Sequence, residues 1–96
     1  MRIAIDVCVG KRGAELLREA GHEVIAAEHC ESDRDWFTRA IAWGAELFVS
    51  ADVDIEIYAY DFNVEFFQAK RGQSGTRTAL NLLIEMGRRQ RRRTAS

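Results

Sequence analysis

The chain contains no proline, so one of the ordinary markers of element boundaries is missing and boundaries must be read from glycine and from periodicity. It has only two cysteines, Cys8 and Cys30, without CxxC spacing. That excludes a disulfide framework and leaves any zinc site around His29 and Cys30 without the second thiolate or histidine pair that would define it. No stretch approaches the roughly 20 uninterrupted apolar residues of a membrane span. Met1 leads straight into strand-like sequence where a signal peptide would carry a charged and then an apolar region. A soluble protein of the reducing cytoplasm is the expectation. Length sets a further bound: 96 residues suffice for one domain with one modest core. The hydrophobic share of 47% and charged share of 30% are globular values, so folding should need neither disulfide nor metal.

Charge is present in both signs but unevenly placed. Residues 1–87 hold nine basic and fifteen acidic groups, a balance of −6, whereas residues 88–96 hold five arginines and no acid, +5. The chain therefore divides into a folded body, 1–87, and a basic C-terminal tail, 88–96. Such a tail reads either as an interaction segment for nucleic acid or an acidic protein, or as a solvated helix end whose cations suit the helix C-terminus.

Hydrophobic patterning predicts alternating strands and helices. Ile3–Val9 is an apolar, β-branched run broken only by Asp6, a strand buried on both faces. Arg12–Ala20 carries Leu16, Leu17 and Ala20 on one helical face and stops at Gly21. A second strand follows at Glu23–Ala27, then a helix from Ser32 or Asp33 to Gly44 that buries Trp36, Phe37, Ala40 and Ile41. Leu47–Ser50 and Val64–Ala69 supply two more strands, and Thr78–Arg89 a last helix with Ala79, Leu80, Leu82, Leu83 and Met86 inward. Residues 55–62 suit either a strand or a short helix over the site, with helix or irregular structure preferred, and Lys70–Thr76 is a polar loop. The alternation means βαβ units, a parallel sheet and helices on both of its faces.

In such sheets ligands bind beyond the carboxyl ends of the strands, where neighbouring strands send their helices to opposite faces. Asp6 interrupts an apolar strand near its end, where a carboxylate is costly unless paired or metal-bound. Asp52 and Asp54 follow the third strand, and their two-residue spacing puts both on one side of an extended segment. With the common strand order 2-1-3-4, these acids meet at one crevice. Oxygen-only ligation suits Mg2+ or Mn2+, which activates water and stabilises charge on a phosphate. The same residues also suit plainer roles, an N-cap or a solvated turn.

Four segments together resemble the small PIN-like domains, relatives of the toxin ribonucleases of bacterial toxin–antitoxin pairs. They are Ile3-Ala4-Ile5-Asp6, Gly21-His22-Glu23-Val24, Ser32-Asp33 followed by a helix with Ala40, and Ser50-Ala51-Asp52-Val53-Asp54. The last is similar to that family's hydroxyl-x-Asp-x-Asp segment. The resemblance spans residues 3–69 and implies a single-domain three-layer α/β/α fold with a mainly parallel sheet of about four strands. It also implies that Asp6, Asp33, Asp52 and Asp54 are catalytic, metal-binding acids for Mg2+ or Mn2+, with Ser50 as a supporting hydroxyl and Asp35 as a substitute for Asp33. The chain departs from the family's pattern at Val7 and Cys8, where small members carry an acid and an amide, and at Ile55, where an aromatic is usual. There is also no room between Gly10 and Gly21 for the extra helical excursion of longer members.

The remaining candidates are weaker. His22 and His29 lack ligand-like spacing, and Cys8 reads as a buried, inert thiol. Trp36, Phe37, Phe66 and Phe67 have core phases, leaving Trp43, Tyr58 and Tyr60 as the surface aromatics. Gly10-Lys11-Arg12-Gly13 offers helix N-terminal amides and two cations to a phosphate but lacks P-loop spacing. A phosphorelay receiver would need an acid pair after the first strand, where only Asp6 stands.

Two function classes follow. The first is a metal-dependent endoribonuclease, the toxin of a toxin–antitoxin pair among its forms, with RNA as substrate, an antitoxin protein as partner and a homodimer as its assembly. Its nucleic-acid contacts would be Lys11, Arg12, Lys70, Arg71 and the tail residues Arg88, Arg89, Arg91, Arg92 and Arg93, offsetting the repulsion between acidic site and anionic strand. The second is a noncatalytic module of the same fold that binds nucleic acid or a partner protein, motivated by Val7, Cys8 and Ile55.

Overall fold

The computed structural model describes residues 1–95, with side chains for 1–91. Four strands and four helices alternate: β1 Arg2–Ile5, α1 Gly10–Glu19, β2 Glu23–Ala26, α2 Asp33–Trp43, β3 Leu47–Ser50, α3 Val53–Asp61, β4 Glu65–Gln68 and α4 Gly75–Ala95. The strands form one all-parallel sheet in the order β2-β1-β3-β4. The fold is a three-layer α/β/α domain.

Strand alternation divides the core between the two faces. Ile3 and Ile5 of β1 with Leu47 and Val49 of β3 point to one side, where α1 and α4 bury Ala14, Leu17, Ala79 and Leu82. Ala4 and Phe48 point to the other, against Trp36, Phe37 and Ala40 of α2 and Ile55 and Ala59 of α3. Phe48 is fully buried there, stacked on Phe37 with ring centroids 4.6 Å apart and meeting the edge of Trp36 at 5.5 Å. The Trp36 indole nitrogen is buried without a hydrogen-bond partner among the described residues.

Two glycines are dictated by geometry. Gly44 closes α2 in the left-handed region, φ 94°. Gly75 opens α4 directly against the turn before α1; a Cβ there would lie 1.7 Å from the Val9 carbonyl oxygen, inside any permissible contact. Gly13 faces the same junction, which lets the first turns of α1 and α4 pack together.

Several boundaries differ from those read in the sequence. β1 ends at Ile5, not Val9, because the chain turns at residues 7–9 and α1 starts at Gly10. Cys8 is consequently exposed, not buried, and only Val9 of that segment turns inward. Residues 53–61 are helical: the Asp52 carboxylate caps the Asp54 amide at 2.9 Å, and Ile55 and Ala59, one turn apart, fill the core. α4 takes in the end of the polar loop and continues without a break through residue 88 to Ala95. Ala20 and Leu80 are exposed, Leu80 at 40%, since each lies outside the arc of its helix that meets the sheet. Phe66 and Phe67 are half-buried because β4 is an edge strand.

Candidate metal centre at the carboxyl edge

The site begins with strand phase. Asp6 continues the pleat of β1 one residue beyond its end, held by its amide on the Val49 carbonyl at 2.9 Å. Ser50 is the last residue of β3. Both therefore point to the α2/α3 side, in step with Ala4 and Phe48. The Ser50 hydroxyl donates to Asp6 Oδ2 at 2.6 Å and accepts the Asp52 amide at 3.0 Å. Asp6 Oδ1 accepts the Val7 amide at 2.7 Å. Ser50, fully buried, is thus the bridge between the first strand and the acidic turn after the third.

Two helix N-termini bring the other acids. α3 starts behind Asp52, and α2 starts at Asp33 behind its cap Ser32, whose hydroxyl accepts the Asp35 amide at 3.1 Å. Asp33 reaches across to the other three. Its carboxyl is held above the ordinary range by partial desolvation, by a hydrogen bond shared with Asp52, and by the charges of Asp52, Asp6 and Asp54. Asp33 is largely exposed at the rim, so the repulsion it feels is screened. Asp33 is the residue at the start of α2 that feels the charges of Asp52, Asp6 and Asp54.

The donors are hard oxygens: four carboxylates and one hydroxyl, at the switch point between β1 and β3. Such a set fits Mg2+ or Mn2+ chemically, and the like-charge stress on Asp33 is what a cation relieves. Among the described residues, however, no three His, Cys, Asp or Glu side chains stand in an arrangement that holds an ion as it is. Two of the groups are already engaged, Asp6 by Val7 and Ser50, and Asp52 by its own helix. Coordination requires these carboxylates to turn from intramolecular partners.

The cations divide between the two edges of the sheet. Lys70 and Arg71 line an open cleft of about 500 Å3 beside Asp52, with Gln68 and Val53. Lys11 shares a cleft of about 340 Å3 with Asp6. Arg12 is exposed beside it, paired with Glu15 at 3.3 Å. The arginines of α4 lie elsewhere. α4 starts at the carboxyl edge and runs back across the sheet, so Arg89 meets Glu65, the first residue of β4, at 3.0 Å. Arg88 and Arg91 sit on the same distal part of α4, away from the crevice. The side chains of Arg92 and Arg93 lie outside the described residues.

Other candidates resolve simply. Cys8 borders the crevice: desolvation raises its thiol pKa, a bond from the Ala51 backbone opposes this, and the Asp6 charge adds to it, so it remains a protonated thiol. His22 contacts the N-terminal ammonium at 3.1 Å, and burial, followed by that charge, lowers its pKa. Trp43 is half-buried under the Arg2 guanidinium, while Tyr60 is freely exposed on α3. Sequence reasoning missed Gln68 and the Val7 amide as site components. Gln68 was legible from the parallel register, which sets it beside Ser50.

No helix among the described residues is long and apolar enough to cross a membrane. No family model, no curated protein and no solved structure matches the chain.

Proposed function

We propose that the chain is a metal-dependent phosphodiesterase acting on RNA, an endoribonuclease of the PIN-like kind that its motifs resemble. The observation that carries this reading is the meeting of Asp6, Asp33, Asp52 and Asp54 around buried Ser50 at the β1/β3 switch point, registered in the raised pKa of Asp33. Mg2+ or Mn2+ bound by these acids would supply an activated water and balance the charge developing on the scissile phosphate. The chain's own residues do the rest. Ser50 fixes the Asp6 carboxylate, Lys70 and Arg71 receive the backbone phosphate in the cleft beside Asp52, and Lys11 does so on the Asp6 side. A toxin of a toxin–antitoxin pair, with an antitoxin as partner, a homodimer as assembly and the cytoplasm as location, is the biological setting this reading carries.

The test is cleavage of single-stranded RNA with EDTA, Mg2+ or Mn2+, run beside Asp52→Asn. Asparagine retains the helix cap, so the variant should fold. Metal-dependent cutting that falls on the order of 10²-fold or more in the variant supports the proposal. Cutting that is unchanged in the variant refutes the assignment.

The second reading is a noncatalytic module. It is favoured by the absence of a ready-made cage among the described residues, by Ile55 being fully buried in the core instead of lining the site, and by Val7 standing 65% exposed at the rim. A folded wild type that cuts no RNA under any of these conditions would select it.

A further inference from the structure

We propose that the distal part of α4, residues 88–93, is a basic helical arm that binds the phosphodiester backbone of single-stranded RNA at a place separate from the aspartate crevice. The binding itself follows from the arm; only the choice of RNA rests on the nuclease reading. Three observations support the proposal. First, the helix is continuous from Gly75 to Ala95, and Arg89 ties it to the β-sheet at Glu65, supported by Glu85 one turn back at 3.5 Å. Second, apolar packing ends at Met86: from Gly87 to Thr94 no apolar side chain occurs, and no acid follows Glu85. Nothing in the sequence of that stretch gives it a core-facing side, and a helix polar all round bridges or binds instead of packing. Third, the arginines repel one another at helical spacing: Arg88 stands three and four residues from Arg91 and Arg92, and Arg89 likewise from Arg92 and Arg93. The helix dipole favours cations here but does not remove their mutual repulsion; a polyanion does both.

Placement shapes the consequence. Gly75 is at the carboxyl edge and Arg91 sixteen residues on, about 24 Å along the helix axis. The crevice and the arm therefore engage one strand only if it runs along the molecule. A long strand should be held at both places and a very short one at only one of them at a time.

The experiment is the binding of poly(U) RNA by the full chain carrying Asp52→Asn, which keeps cleavage out of the readout, followed by fluorescence anisotropy across a salt series. The comparison adds Arg88→Gln, Arg91→Gln, Arg92→Gln and Arg93→Gln together, leaving Arg89 to hold Glu65. Glutamine matches arginine closely in helix propensity, and circular dichroism verifies that the fold is retained. The expected result is a loss of affinity of at least about tenfold and a fall of roughly 2–3 in the slope of log affinity against log salt, the release of about four counterions. Equal affinity and slope in both chains would overturn the arm. So would polyglutamate binding the parent chain more tightly than poly(U), which would make the arm a site for an acidic protein. Arm-dependent binding by a chain that never cleaves RNA supports the arm while removing the nuclease reading.

Discussion

The two edges of the sheet treat their acids in opposite ways. At the amino edge, Glu23, Glu46 and Glu65 stand at or just before the starts of three strands, and each has a partner: Arg2 Nε on Glu23 at 2.8 Å, the Arg2 amide on Glu46 at 2.9 Å, and Arg89 on Glu65. At the carboxyl edge, the charges of Asp6, Asp52 and Asp54 act on Asp33, and the bonds to Asp6 and Asp52 come from a serine and backbone amides. Stability alone favours the first arrangement. Where a chain keeps the second, local rules are broken at a place consistent with a binding role.

The comparison breaks most severely if the junction at the carboxyl edge is opened. Gly75→Ala drives a Cβ into the Val9 carbonyl and should cost about 3 kcal/mol or more, separating the first turns of α1 and α4; urea denaturation reads this directly. Next comes Ser50→Ala. It leaves Asp6 Oδ2 and the Asp52 amide without their partner in a partly buried setting, and a loss of about 1–3 kcal/mol is expected on the same denaturation curve. At the amino edge, Arg2→Ala removes an exposed ion pair and a bond to the Trp43 carbonyl, and about 1 kcal/mol or less should be lost.

Smaller in size but sharper in sign are the titrations. Asp33 has a raised folded-state pKa, so its ionisation opposes folding: stability from this group falls as pH rises from the ordinary aspartate value through the folded one, and stays reduced above it. Asp33→Asn should therefore raise the Tm at neutral pH by less than Ser50→Ala lowers it and flatten that part of the profile. Mn2+ should raise the Tm of the wild type and do so much less in Asp52→Asn. Glu31 has the opposite slope. Hydrogen bonds from Arg39 at 2.8 and 2.9 Å, then one from the Glu28 amide, hold its pKa at about 2. Its contribution is complete above the usual value of 4.5 and is lost as pH falls towards 2, so Glu31→Gln should remove that acid limb from Tm measured against pH.

Much of this was legible in the residues because it rests on period and punctuation. Leu47–Ser50 is a strand at the predicted bounds, the strand order is the predicted one, and Asp6 stood out as the single acid in an apolar run. The apolar character of Val7, Cys8 and Val9 made β1 look longer than it is, because the residue types do not say that Val9 is buried by α1 and α4 instead of by strand neighbours. Residues 55–62 were ambiguous for a like reason: Ile55, Ile57, Tyr58 and Tyr60 suit both periods, and the decision lay with the Asp52 cap. The distal position of the described arginines follows from topology. A helix that follows a parallel strand runs back along it, so the end of α4 had to leave the aspartates behind.

If the crevice binds a cation as proposed, Asp52 carries two duties that compete. Its Oδ1 holds the Asp54 amide in the first turn of α3, and any cation that draws that oxygen into its own shell must release the amide to water. Occupancy of the crevice is then written into one backbone proton. Exchange of the Asp54 amide with solvent should quicken when the site fills, giving the chain a built-in gauge of its own ligand that needs neither substrate nor turnover.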